Sequence, residues 1–211
     1  RSTTLTNLEK PDLILIGTDN FFAKKKINNF YNKIYKNKNL LKNTNFKEGE
    51  ISKIAINCYI TTKISFSNYI SEISESVREI DAKKILDVIG QDKRINHSYM
   101  KVGTKFSGPC FPRDNLALVN FSKKIKVNPY IPIATNIINS KQSLRITKIL
   151  NKILRKSKKN LTIGLLGLTY KSDTNLIEGS QGDSLIKEIY KKKLRFKKIN
   201  IFDRYLKHKD V

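Results

Sequence analysis

The chain has 211 residues, 39% of them apolar, which suffices for one large domain or two small ones with a packed core. No apolar run approaches bilayer length, and the start of the chain lacks the basic and apolar segments of a leader, so a cytoplasmic globular protein with no membrane partner is expected. The net charge of +24 suggests nucleic acid, but the lysines fall in separate runs, as at 24–26, 123–124, 156–159 and 191–193, without interleaved aromatics. They read as solvated helix faces, and no nucleic-acid partner is expected.

Cys58 and Cys110 are the only cysteines and His97 and His208 the only histidines, which gives no disulfide framework and no zinc-like ligand spacing. No metal is expected, and both histidines read as solvated. A basic surface would still help to capture an anionic small substrate.

In chain order, residues 13–16 form a short apolar run closed by Gly17, which reads as a buried strand. Residues 21–35 follow with a helical apolar period at Phe22, Ala23, Ile27, Phe30, Tyr31 and Ile34. Residues 36–45 read as a basic connector, and residues 48–77 as a long helix with apolar positions on more than one face, to be buried on several sides in a bundle or dimer. Asp81 can cap a helix that Gly90 ends, and an irregular polar stretch then leads to residue 106.

Residues 106–114 read FSGPCFPRD. Gly108, Pro109 and Pro112 disfavour helix, so Cys110 is expected on a rigid loop just ahead of a helix over 114–124. A helix N-terminus and the cation Arg113 both favour a thiolate, though a lone cysteine is more often a small buried hydrophobe. Pro129 and Pro132 break the chain before a helix over 133–155. From residue 160, an apolar strand, a helix over 183–192 and a second strand over 199–203 outline the start of a Rossmann-like sheet. Gly164 and Gly167 supply only G-x-x-G, and the dinucleotide fingerprint G-x-G-x-x-G is absent from the chain.

The segments PDLILIG, EISKIAIN, KISFSN, QDKRI, GPCFPRD and IGLLGLTYKSDT, in this order, resemble the UDP-glucose 6-dehydrogenase family, part of the wider nucleotide-sugar dehydrogenases. The resemblance runs from about residue 11 to residue 203 and implies an α/β fold in three zones. These are the end of an N-terminal NAD-binding Rossmann domain over 1–43, an α-helical dimerisation domain over 44–157, and the start of a C-terminal Rossmann-like nucleotide-sugar domain over 158–211. Most of the NAD domain and of the last domain would lie outside this chain.

The resemblance further implies Cys110 as nucleophile, Asp114 as its acidic partner, and Lys53 with Asn57 as the pair holding the reacting oxygen. Positions four apart share a helix face, which agrees with that last role. Arg94 resembles an arginine lent across a dimer to the neighbour's substrate. Residues 101–107 resemble a loop wrapping the sugar nucleotide, so Tyr99, Lys101, Phe106 and Gly108 are implied substrate contacts, with Tyr170 and Lys171 from the last domain. Cys110 and Arg113 are implied neighbours of NAD.

The implied reaction is oxidation of a UDP-sugar primary alcohol to a carboxylate with two NAD, through a thiohemiacetal and a thioester on the cysteine. UDP-N-acetylhexosamine and GDP-mannose are alternative substrates, and an inactive remnant that dimerises or binds a sugar nucleotide is a further alternative. The chain departs from the family at several places. Leu176, Ile177, Glu178, Gly179, Ser180 and Gln181 stand where the family usually reads D-x-R-E-S-P, so that Glu178 replaces an arginine. Tyr69 stands for a glutamate and Ser107 for a glycine.

Overall fold

The computed structural model describes residues 4–171, 174–177 and 179–206. The fold is α/β and mostly helical, and the chain divides into two compact units, Arg1–Ile56 and Asn57–Val211, with the boundary inside one long helix.

The first unit holds α1 (Thr4–Glu9), β1 (Ile14–Gly17), α2 (Phe21–Ile34), a 3-10 turn (Lys38–Leu40), β2 (Leu41–Thr44) and the opening turns of α3 (Phe46–Ser76). The Asn20 side chain accepts from the Ala23 amide at 2.9 Å and starts α2. Asn45 and Glu48 cap α3 reciprocally, each side chain accepting the other's backbone N–H at 2.9 Å. β1 and β2 are parallel, with Ile14 opposite Leu41 and Gly17 opposite Thr44. β2 lies where only a connector was expected, because Lys42 and Asn43 place polar side chains on both faces and leave no alternation to read. The expected burial of β1 is met only by Ile16.

The second unit holds the rest of α3, then α4 (Ala82–Gln91), α5 (Phe111–Lys124), α6 (Tyr130–Lys156), β3 (Thr162–Leu166), α7 (Gln181–Lys191) and β4 (Lys198–Phe202). β3 and β4 pair in parallel across α7, with Thr162 opposite Lys198 and Leu166 opposite Phe202. Three helix ends differ from expectation. Gly90 lies inside α4 rather than after it, because the helix side there is pressed against His97, whose Nδ1 would be 2.4 Å from an added Cβ. Pro132 sits in the first turn of α6, where no intrahelical N–H is needed. α5 begins at Phe111 and makes Cys110 its N-cap.

Within the chain α3 is not buried on several sides. Its inner side carries buried Cys58, Thr61, Ser65, Ser67 and Asn68, while Tyr59, Phe66, Tyr69 and Ile73 are exposed. The buried hydroxyls are satisfied locally, since Thr61 donates to the Cys58 carbonyl at 2.8 Å and Ser65 to the Thr135 carbonyl of α6 at 3.2 Å. Polar residues therefore line the inner seam, and apolar ones are left facing outward.

Among the described residues no helix is long and apolar enough to cross a membrane, and no cluster of His, Cys, Asp or Glu could hold a metal ion. His97 is exposed, whereas His208 and Glu178 lie outside the described residues.

Candidate active site

Two prolines and a glycine fix the approach to α5. Pro112 occupies its first turn, Cys110 is exposed at the N-cap position, and the Asp114 amide donates to the Cys110 carbonyl at 2.9 Å. Cys110 thus stands at the positive end of the helix dipole. Asp114, one turn on, is 3% exposed.

A buried carboxylate needs partners, and Asp114 has them on both oxygens. Asn57 of α3 donates its Nδ2 to Oδ2 at 2.6 Å, while Arg113 donates Nη2 to Oδ1 at 3.1 Å and Nε to the same oxygen at 3.2 Å. Arg113 therefore spends its charge on Asp114. The Asn57 amide nitrogen carries two hydrogens; the bond to Asp114 takes one and fixes the amide plane, which leaves a second donor for a ligand. Beneath this pair Cys58 donates its S–H to the Asp114 carbonyl at 3.5 Å.

The loop ahead of Cys110 is clamped by helix side chains that sequence reasoning missed. Asn139 of α6 accepts from the Phe106 amide at 2.7 Å and donates to the Phe106 carbonyl at 3.1 Å. Asn68 of α3 accepts from the Gly103 amide and donates to the Thr104 carbonyl, both at 3.1 Å, and Gln142 of α6 donates to the Gly103 carbonyl. Arg145 locks the two helices together through Gln142, Ser71, Glu75 and the Asn68 carbonyl at 2.7–3.1 Å. Asn139, Gln142 and Arg145 recur every third position, a polar stripe that was legible as one helix face.

The implied substrate contacts separate into two groups. Gly108 has φ +81, and an added Cβ would lie 2.9 Å from the Tyr170 ring, so the Cys110 loop and the segment after β3 meet there. Lys171 lies over the Tyr170 ring with Nζ 5.7 Å from its centroid. Phe106 is buried, and Tyr99 and Lys101 are exposed. Arg94 stands apart from Cys110's loop contacts, 86% exposed and gripping Asp92 with Nη2 at 2.5 Å and Nε at 3.0 Å. Hydrogen bonding to the Asp92 carboxylate raises the Arg94 guanidinium above its ordinary value, and the same bonds keep the Asp92 carboxyl below the usual range. Lys105, half-buried beside α7, is pushed below its ordinary value by burial, with Asp183 opposing.

Asp203, at the end of β4, organises the Tyr170 segment. Its Oδ2 accepts from the Leu168 amide at 2.7 Å, the Thr169 amide at 2.8 Å and the Thr169 hydroxyl at 3.0 Å, and Oδ1 accepts from the Tyr205 amide at 2.8 Å. The Thr169 amide leads these donors in holding the carboxyl down to about 2, against an opposing push from burial.

In the first unit Lys53 lines a cleft of about 590 Å³ with Leu15, Gly17, Phe46, Gly49, Glu50 and Ile54. Leu15, Phe46 and Ile54 give it an apolar wall that would suit a flat ring such as nicotinamide, beside the charged Glu50 and Lys53. No run of backbone N–H groups among these residues could cradle a pyrophosphate, so this cleft would fit only one end of a dinucleotide.

Comparison with known proteins connects this arrangement to a family. Residues 47–141 match the central domain of the UDP-glucose/GDP-mannose dehydrogenase family. The chain is similar to the UDP-glucose 6-dehydrogenase TuaD of Bacillus subtilis, 36% identical over 68% of this chain and 31% of the relative. It is likewise similar to a UDP-glucose 6-dehydrogenase of Rickettsia bellii, 32% identical over 86% of this chain and 42% of the relative. A solved UDP-glucose dehydrogenase from Pyrobaculum islandicum superposes with TM-score 0.85 at 25% identity, covering 98% of this chain and 46% of that one. The chain therefore spans less than half the length of the relatives it matches. With that match centred on the helices that hold Asn57, Cys110 and Asp114, the chain belongs to the UDP-glucose/GDP-mannose dehydrogenase family.

Proposed function

We propose that this chain carries the thiol half of an NAD-dependent UDP-glucose 6-dehydrogenase, which oxidises the sugar's primary alcohol to a uronic acid. The observation that carries the reading is an exposed Cys110 at the head of α5, backed by buried Asp114 whose carboxylate holds the Asn57 amide at 2.6 Å. UDP-glucose is preferred among nucleotide sugars because the relatives at 32–36% identity are UDP-glucose 6-dehydrogenases.

NAD, when bound, accepts the hydride removed in each of the two oxidations. The Cys110 sulfur adds to the aldehyde carbon, and the new C–S bond makes a thiohemiacetal whose oxygen carries negative charge. The free N–H of Asn57, with Lys53 one helical turn earlier, is assigned to that oxygen. Loss of a hydride leaves a thioester, and water cleaves the C–S bond to release the acid and restore the thiol. Asp114 keeps Asn57 oriented and accepts hydrogen bonds near the attacking water. Tyr170, Lys171, Phe106, Gly108, Tyr99 and Lys101 are assigned to the sugar nucleotide, Arg113 to the cofactor side, and Arg94 to the substrate of a second subunit.

Homodimerisation belongs to the same reading, since Tyr59, Phe66 and Ile73 form an exposed apolar stripe at sevenfold spacing on α3. A cytoplasmic location goes with a nucleotide-sugar substrate.

The test is Cys110→Ser in the active protein. UDP-glucose should bind with unchanged affinity while uronic acid formation is lost. Turnover at the parental rate would refute the assignment.

A further inference from the structure

Two lysine runs that lie about 35 residues apart in sequence converge in the second unit around one cavity of about 490 Å³. The end of α6 and the turn after it supply Arg155, Lys158 and Lys159, and the C-cap of α7 and the turn after it supply Lys192, Lys193 and Arg195. The Lys197 amide donates to the Leu161 carbonyl at 2.8 Å and holds the two segments together. The six cations are exposed, as solvated charge was expected to be, but folding places the two runs side by side.

The concentration of charge is not neutralised from within. No Asp or Glu occurs between Asp114 and Asp173, or between Glu188 and Asp203. None of the six cations forms an ion pair among the described residues. Basic residues in a last helical turn do complement the dipole, and α6 and α7 both end here. Two helix ends offer roughly half a negative charge each, however, against six full positive charges. The surplus repels itself within about one Debye length, roughly 8 Å at physiological salt, unless an anion occupies the space.

We propose that this cavity binds a compact polyphosphate anion of two or three linked phosphates. Two guanidiniums offer planar forks that match phosphate oxygens in pairs, and four lysines add point charges. Asn160 in the same wall offers a neutral hydrogen-bond donor. The cavity opens beside Asn160 and Lys193, ahead of β3 and β4, at the amino ends of the strands. The opposite, carboxyl ends carry Thr169 and Asp203, and ligands of open α/β sheets bind at that side. Among the described residues no aromatic lines the cavity to stack a base, which favours a phosphate chain over a nucleic acid strand.

The test titrates the whole chain with inorganic tripolyphosphate by calorimetry at physiological salt, beside ATP, a DNA duplex and UDP-glucose. The variant Lys158→Ala/Lys159→Ala/Arg195→Ala removes three exposed, unpaired cations. The control Lys24→Ala/Lys25→Ala/Lys26→Ala removes the same charge elsewhere. Tripolyphosphate should bind at one equivalent, weaken at least tenfold in the first variant and less than twofold in the control. ATP binding with the same loss would mark a nucleotide's phosphate chain as a source of the ligand, and ATP failing to bind would mark inorganic polyphosphate; either supports the site. Equal weakening in both variants, displacement of tripolyphosphate by UDP-glucose, or duplex binding tighter than tripolyphosphate would overturn it.

Discussion

At Cys110 the sulfur is exposed at the head of α5, whereas Cys58 is 6% exposed and donates its S–H to a carbonyl. A thiol must reach its reagent before its chemistry counts. Iodoacetamide should therefore label Cys110 at least tenfold faster than Cys58, as mapped by peptide mass spectrometry; equal rates would show that the α5 loop shields its cysteine. Gly108 makes a second residue-scale claim, since φ +81 and the Tyr170 ring both exclude a side chain. Gly108→Ala should cost about 2 kcal/mol of stability and shift the denaturant midpoint, with a larger loss of UDP-glucose affinity than of stability. Asp203 adds a pH prediction. Its folded value, about 2, lies below the ordinary 3.8, so its contribution is present above the ordinary value and disappears as pH falls towards about 2. Asp203→Asn should flatten that part of the stability profile in acid melts, and an unchanged profile would contradict the clamp on Leu168 and Thr169.

At the scale of elements, the sequence periodicity located each long helix and three of the four strands among the described residues, because their apolar spacing follows the period of the element even where, as in α2, no residue is buried within the chain. β2 escaped, since a short edge strand carrying Lys42 and Asn43 has no buried face to advertise. The polar seam between α3 and α6 escaped for a related reason. Asn68, Asn139, Gln142 and Arg145 look like surface residues in an Asn- and Lys-rich chain, and only the fold shows that they hold the 103–106 loop. Arg145 is 15% exposed in its side chain and makes four hydrogen bonds across that seam and a fifth to Gln142 on its own helix. Arg145→Ala should cost about 2 kcal/mol in urea unfolding at an unchanged slope, and should weaken UDP-glucose binding by loosening the loop. Stability loss with full affinity would mean the seam supports the helices alone.

For the whole molecule, the candidate site was legible only in part. Cys110, Asp114, Lys53 and Asn57 were legible as candidates only through the family resemblance of the motif set, since neither a lone cysteine nor a Lys-Asn spacing singles itself out in a Lys- and Asn-rich chain. The hydrogen bond joining Asn57 to Asp114 links residues 57 positions apart, and no local pattern reports it. The contact of Tyr170 with Gly108 and the convergence of two basic runs are equally products of the fold. The outward apolar stripe of α3 carries the prediction at this scale. Phe66→Asp should give a monomer by sedimentation where the parent sediments as a dimer, and an unchanged dimer would place the interface elsewhere.

The central claim is a covalent bond between substrate carbon and the Cys110 sulfur. Its most direct test is the mass of the protein after acid quenching during turnover with UDP-glucose and NAD. An added sugar-nucleotide acyl mass that maps to the Cys110 peptide, and is absent from Cys110→Ser, is the predicted result. Accumulating acid with no adduct at any time point, or an adduct mapped to Cys58, would contradict it.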